Sequence, residues 1–138
     1  MNKEKIQIDI IYPCERLFKF YVIEYKDTIP LNWTVDGGSR LFNYLDKIYS
    51  QWNLGSKHES KLFMAQKCRS MSPGDFVKLR GKWFQCSLVG WKLVDWDYIC
   101  DFTLKIREKI EKNADMHPFR ASTELMYFED NELIKGIS

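Results

Sequence analysis

Hydrophobic and polar positions alternate at the start of the chain, where Ile6, Ile8 and Ile10 are separated by Gln7 and Asp9. A period of two is that of a strand with one buried face. Pro13 and the polar pair Glu15 and Arg16 interrupt it. LFKFYVIEY, Leu17 to Tyr25, then resumes with the aromatic and β-branched residues of a more central strand. The two predict an antiparallel pair across a turn at Tyr12 to Arg16. Pro30 and the Asp36, Gly37, Gly38 cluster make 26–38 a loop.

The period then lengthens. Leu41, Leu45, Ile48 and Trp52 recur at spacings of four, three and four, one face of an amphipathic helix with Ser39 as its N-cap and Asn53 to Gly55 as its end. Residues 56–69 are basic and weakly patterned, with a helical turn around Leu62 to Gln66. From Ser70 the chain reads SMSPGDFVKLRGKWFQCSLVGWKLV. Pro73 and Gly74, then Gly81 and Lys82, mark turns; Val77 and Leu79 face away from Lys78; and 83–94 is strand broken at Gly90, so the stretch predicts a hairpin or three-stranded meander. Asp97 is the expected cap of a second helix with Ile99, Thr103, Ile106 and Ile110 inward, ending near Asn113. Pro118 breaks the chain, and 122–134 reads as a short strand or a helical turn.

This order predicts an α+β fold, a mostly antiparallel sheet made of the N-terminal strand pair and the 75–94 meander, covered by two helices. The chain is read as a single domain over 1–138, with 120–138 as a loosely packed acidic tail. The absence of alternating strand and helix units argues against a doubly wound sheet.

Composition changes the picture in two places. Twenty-one aromatic side chains among 138 residues exceed what one small core hides, which favours aromatic anchors at the surface. The net charge of +2 is too small to imply nucleic acid, but it is unevenly spread. Lys57, Lys61, Lys67, Arg69, Lys78, Arg80 and Lys82 outweigh Glu59 and Asp75, whereas Glu124, Glu129, Asp130 and Glu132 outweigh Lys135.

Candidate chemistry is sparse. Cys14, Cys68, Cys86 and Cys100 are scattered without a C-x-x-C pair, which fits free thiols in a reducing compartment and no metal centre. His58 and His117 fall in polar connections, so they read as solvated residues, and a thiol enzyme built on Cys68 or Cys86 has no nucleophile motif behind it. The glycines spell no phosphate loop. No run approaches a membrane span and the start lacks a signal-peptide core, so a cytoplasmic protein without cofactor or membrane partner is expected. What remains is a binding surface. Lys67, Arg69, Lys78, Arg80 and Lys82 with Trp83 and Trp91 could hold phosphates and stack a base, or anchor a protein. The acidic set Glu124, Glu129, Asp130 and Glu132 could steer an encounter.

Over Ser70 to Trp91 the pattern Ser-Met-Ser, Gly-Asp, a strand, Gly, an aromatic, Cys and Gly-aromatic resembles small phage- and plasmid-encoded proteins of the YodL-like kind. The upstream SRLFNYLDKIYSQWN is similar to the segment that precedes it there; the likeness spans Ser39 to Val94, about 40% of the chain. Pro73 stands where a small or β-branched residue is more usual. The resemblance supplies no catalytic residues. It implies a mobile-element accessory protein in a bacterial host, which binds and blocks a host protein or ribonucleoprotein complex, as anti-CRISPR or antirestriction inhibitors do. The alternative is a nucleic-acid-binding module using the basic and aromatic 57–83 stretch.

Overall fold

The structure is a computed structural model, described over residues 4–24, 39–79 and 81–137. The loop expected at 26–38 and the side chains of Arg80 and Glu132 lie outside the described residues. Five strands, β1 (Glu4–Tyr12), β2 (Arg16–Glu24), β3 (Phe76–Leu79), β4 (Lys82–Cys86) and β5 (Trp91–Val94), form one antiparallel sheet in the order β2-β1-β3-β4-β5. Four helices accompany it: α1 (Ser39–Gln51), α2 (Lys61–Gln66), α3 (Trp96–Lys112) and α4 (Pro118–Ile137). The α+β class, the N-terminal strand pair and the meander are as the pattern predicts.

The described chain divides into two units, one drawn from residues 1–28 and 73–138 and the other from 29–72. The first holds the whole sheet with α3 and α4. Its β1–β2 connection is only Pro13, Cys14 and Glu15, closed by the Glu15 amide donating to the Tyr12 carbonyl at 2.9 Å, with Cys14 at φ 60°. At the β3–β4 connection Leu79 pairs with Lys82, and Gly81 adopts φ +79°, open to glycine without steric cost.

Pleating sorts the sheet into two faces. Ile6, Ile8, Ile10, Phe18, Val77, Leu79, Phe84 and Cys86 share one face and are buried. The other carries Phe76, packed with Ile99, Phe102 and Ile106 of α3 and Ala121, Leu125 and Met126 of α4, with Ile11, Trp83 and Val94 at the margin. Phe76 and Phe102 meet edge to face, centroids 5.6 Å apart. Burying one such ring is worth about 2–3 kcal/mol, so this cluster fixes both helices to the sheet.

Several expectations are corrected here, the first being that β2, read as a more central strand, is an edge strand paired only with β1. The cap of α3 is Asp95, whose Oδ1 accepts from the Tyr98 amide at 2.8 Å, while Asp97 sits one residue inside the first turn. The region read as a short strand or helical turn is part of a 20-residue helix, α4. Ala121 with Leu125, and Ser122 with Met126, repeat at four-residue spacing on its buried side. A buried serine and the outward Tyr127 and Phe128 blur that period in sequence. Ala121, Ser122, Leu125 and Met126 are buried, so the first part of the expected tail belongs to the core.

In the second unit, Leu45, Ile48 and Trp52 lie buried along and just beyond α1. Trp52 packs on Phe63 of α2 at 5.7 Å. Ser60 caps α2 through Phe63 N, and Lys67 ends it in the left-handed region at φ 51°.

Candidate functional site

The two-residue period that builds the sheet also splits the predicted basic cluster. Lys78 is the cross-strand partner of Trp83 and shares its face, with Nζ 5.7 Å from the ring centroid. Lys82 pairs with Leu79 and Trp91 with Cys86, so both belong to the opposite face. Lys82 is exposed and Trp91 half-buried. Lys67 and Arg69 belong to the other unit. There Lys67 is exposed, and Arg69 donates through Nη1 to Ser70 O at 2.9 Å and Ser72 Oγ at 3.3 Å.

The described members of the acidic set, Glu124, Glu129 and Asp130, are engaged within the molecule. Glu124 accepts from Arg120 Nε at 3.1 Å and lies 3.8 Å from Lys109 Nζ. Glu129 lies 2.6 Å from the Tyr98 hydroxyl and 3.6 Å from Lys92 Nζ. Asp130 accepts the Leu88 amide at 3.0 Å, holding the β4–β5 turn against α4. Burial chiefly, then the Glu129 hydrogen bond and charge, push the Tyr98 hydroxyl well above the ordinary tyrosine range.

Among the described members of the predicted basic and aromatic set, only Lys78 and Trp83 are shown in contact, and they meet on a face with further candidates. Trp96, in the first turn of α3, packs on Trp83 with centroids 5.9 Å apart and remains 56% exposed. From Trp83 the register runs across the sheet through Lys78 and Asp9 to Lys19. Next to this row Tyr21, 69% exposed, pairs with Gln7, whose Nε2 donates to Asp9 Oδ1 at 2.9 Å. Helices α3 and α4 pack on the Phe76 part of this face, and Tyr21, Lys19, Gln7 and Leu17 stay exposed beyond them. Sequence reasoning missed Trp96, Tyr21 and Lys19. The signal was present: Tyr21 and Lys19 are out of phase with Phe18 and Phe20 in β2, and Trp96 lies off the Ile99, Phe102, Ile106 stripe of α3.

Among the described residues, no group of three or more His, Cys, Asp and Glu could hold a metal ion, and no helix is long and apolar enough to cross a membrane. His58 and His117 are exposed. Cys86 is buried, Cys68 half-buried, and Cys14 and Cys100 exposed. Cys14 Sγ donates to Thr103 O at 3.4 Å, and burial raises its thiol against the opposing pull of Arg107. Comparison with known proteins finds no matching family model, no matching curated protein and no matching solved structure.

Proposed function

We propose that this chain is a binding protein of a mobile element, which docks on a host protein or ribonucleoprotein complex and blocks it. The observation that carries the reading is Trp96, a large ring that packs on Trp83 yet leaves more than half of its surface in water. A tryptophan held against a second ring and exposed to water is a residue type that anchors partners, because rigid rings bury much area at little entropic cost. The counter-defence part rests on the resemblance over Ser39 to Val94. The basic 57–83 stretch gives the alternative module less support, since its described members are divided between two units and two sheet faces.

The test is capture from bacterial lysate by the immobilised chain, with and without nuclease, in parallel with Trp96→Ala. A stoichiometric partner that is held by the natural chain and lost by the variant is expected. Recovery of no stoichiometric partner in either condition would count decisively against the proposal.

A further inference from the structure

Resting on the reading of this sheet face as the docking surface, we infer that its occupant is a short stretch of single-stranded nucleic acid. The residues that define the face are Tyr21, Lys19, Asp9, Lys78, Trp83 and Trp96. Tyr21 is on β2 and Trp83 on β4, three strand spacings apart, or about 14 Å at roughly 4.8 Å per spacing. Rings therefore stand at both flanks. From Trp83 towards the β2 edge the row reads Lys78, Asp9 and then Lys19, which shares β2 with Tyr21.

That arrangement suits a nucleic acid better than a protein. Interface cores between proteins concentrate aromatics and shed charge, lysine above all, whereas here two lysines and an aspartate stand among the rings. Two lysines interspersed with stacking rings match phosphates strung between unstacked bases. Neither Lys19 nor Lys78 has an ion-pair partner among the described residues. Asp9 would repel a phosphate, but its carboxylate, oriented by the Gln7 amide, can accept from an exocyclic amino group of cytosine. A duplex hides its bases from such rings, so the inference is confined to single strands.

The probe is a fluorescently labelled 15-residue oligocytidylate or oligodeoxycytidylate, followed by anisotropy at low ionic strength. Binding that weakens steeply with salt is expected. Trp96→Ala or Tyr21→Ala should each weaken it by roughly 10-fold or more, the scale of one lost base stack. Lys19→Gln and Lys78→Gln should each reduce the salt slope by about 0.7, the value for one phosphate on a single strand. Tyr127→Ala, on the outer side of α4, should change nothing, and Trp96→Phe should retain binding. Thermal melts establish that each variant is folded.

No binding at low salt overturns the inference, as does binding indifferent to Trp96 and Tyr21, or equal affinity for a duplex of the same length. Should oligonucleotides fail while a protein captured from lysate is lost with Trp96→Ala, the nucleic-acid inference falls and the docking reading stands. Failure of both removes both.

Discussion

The Tyr98 hydroxyl lies between the Glu129 carboxylate at 2.6 Å and the Gln85 amide oxygen at 2.8 Å, with one proton to give. The charged acceptor takes the stronger bond, and Gln85 is held from its other end by donating to Gly74 O at 3.3 Å. This relay ties β4, α3 and α4 together at the edge of the Phe76 cluster. Tyr98→Phe keeps the ring packing on Phe102 and removes the hydroxyl, so a loss of about 1–2 kcal/mol is expected by chemical denaturation, the lower part of the range for charged acceptors because Glu129 is partly hydrated.

The same tyrosine gives the fold an alkaline limit. Its pKa is raised above the unfolded value, so its contribution is complete below the ordinary tyrosine pKa of 10.0 and falls away as pH climbs beyond it. Tyrosinate absorbance should show one of the seven tyrosines ionising last, together with loss of structure. That late phase should vanish in Tyr98→Phe. A phase that persists in the variant would remove Tyr98 from this role.

Gly74 adopts φ +103°, and a Cβ built there would overlap Ser122 Oγ and come within 3.3 Å of Ser122 O. Conformation and space therefore both demand glycine. Gly74→Ala should cost at least about 2–3 kcal/mol from backbone strain and overlap combined, read as a lowered denaturation midpoint with unchanged slope. Ser122 is fully buried and its hydroxyl has no hydrogen-bond partner among the described residues. Ser122→Ala should accordingly be neutral or stabilising by up to about 1 kcal/mol, and should relieve part of the Gly74→Ala loss in the double variant. A clear destabilisation by Ser122→Ala would show that the hydroxyl is satisfied.

The sheet was legible because its strands alternate cleanly, and the turn residues Pro73, Gly74, Gly81 and Gly90 fall where the chain reverses. Helix α4 was not, because its buried side includes Ser122 and its outer side Tyr127 and Phe128, which erases the apolar period. The candidate face was half legible. Lys78 and Trp83 stood out by residue type, but a linear count of lysines ignores the pleat that sends Lys82 to the other side. Trp96 and Tyr21 become candidates only once register and exposure are known, because strands distant in sequence bring them to one surface.

The two acidic residues flanking Trp96 separate a cap from a bystander. Asp95 Oδ1 bonds the Tyr98 amide, so Asp95→Ala should lose about 1 kcal/mol, whereas Asp95→Asn or Asp95→Ser should retain most of it. Asp97 adds only its charge near the helix start, and Asp97→Ala should cost a few tenths of that, shrinking further in salt. Equal losses at the two positions would refute the assignment of the cap to Asp95.

His117 begins α4 by accepting the Phe119 amide on Nδ1 at 3.1 Å, in front of Pro118 at the first helical position. The same atom lies 3.7 Å from Glu15 Oε1. Nδ1 serves the helix only through its lone pair and serves Glu15 only with a proton, so the two contacts exclude one another. His117→Asn keeps a capping oxygen and forfeits the ion pair; His117→Ala forfeits both. Because an exposed ion pair adds little, the asparagine variant should match the natural chain within about 0.5 kcal/mol, and the alanine variant should fall about 1 kcal/mol below it. Denaturation in high salt, which screens the exposed ion pair, isolates the cap. Equal stability of the alanine and asparagine variants there would show that the helix start does not depend on this side chain.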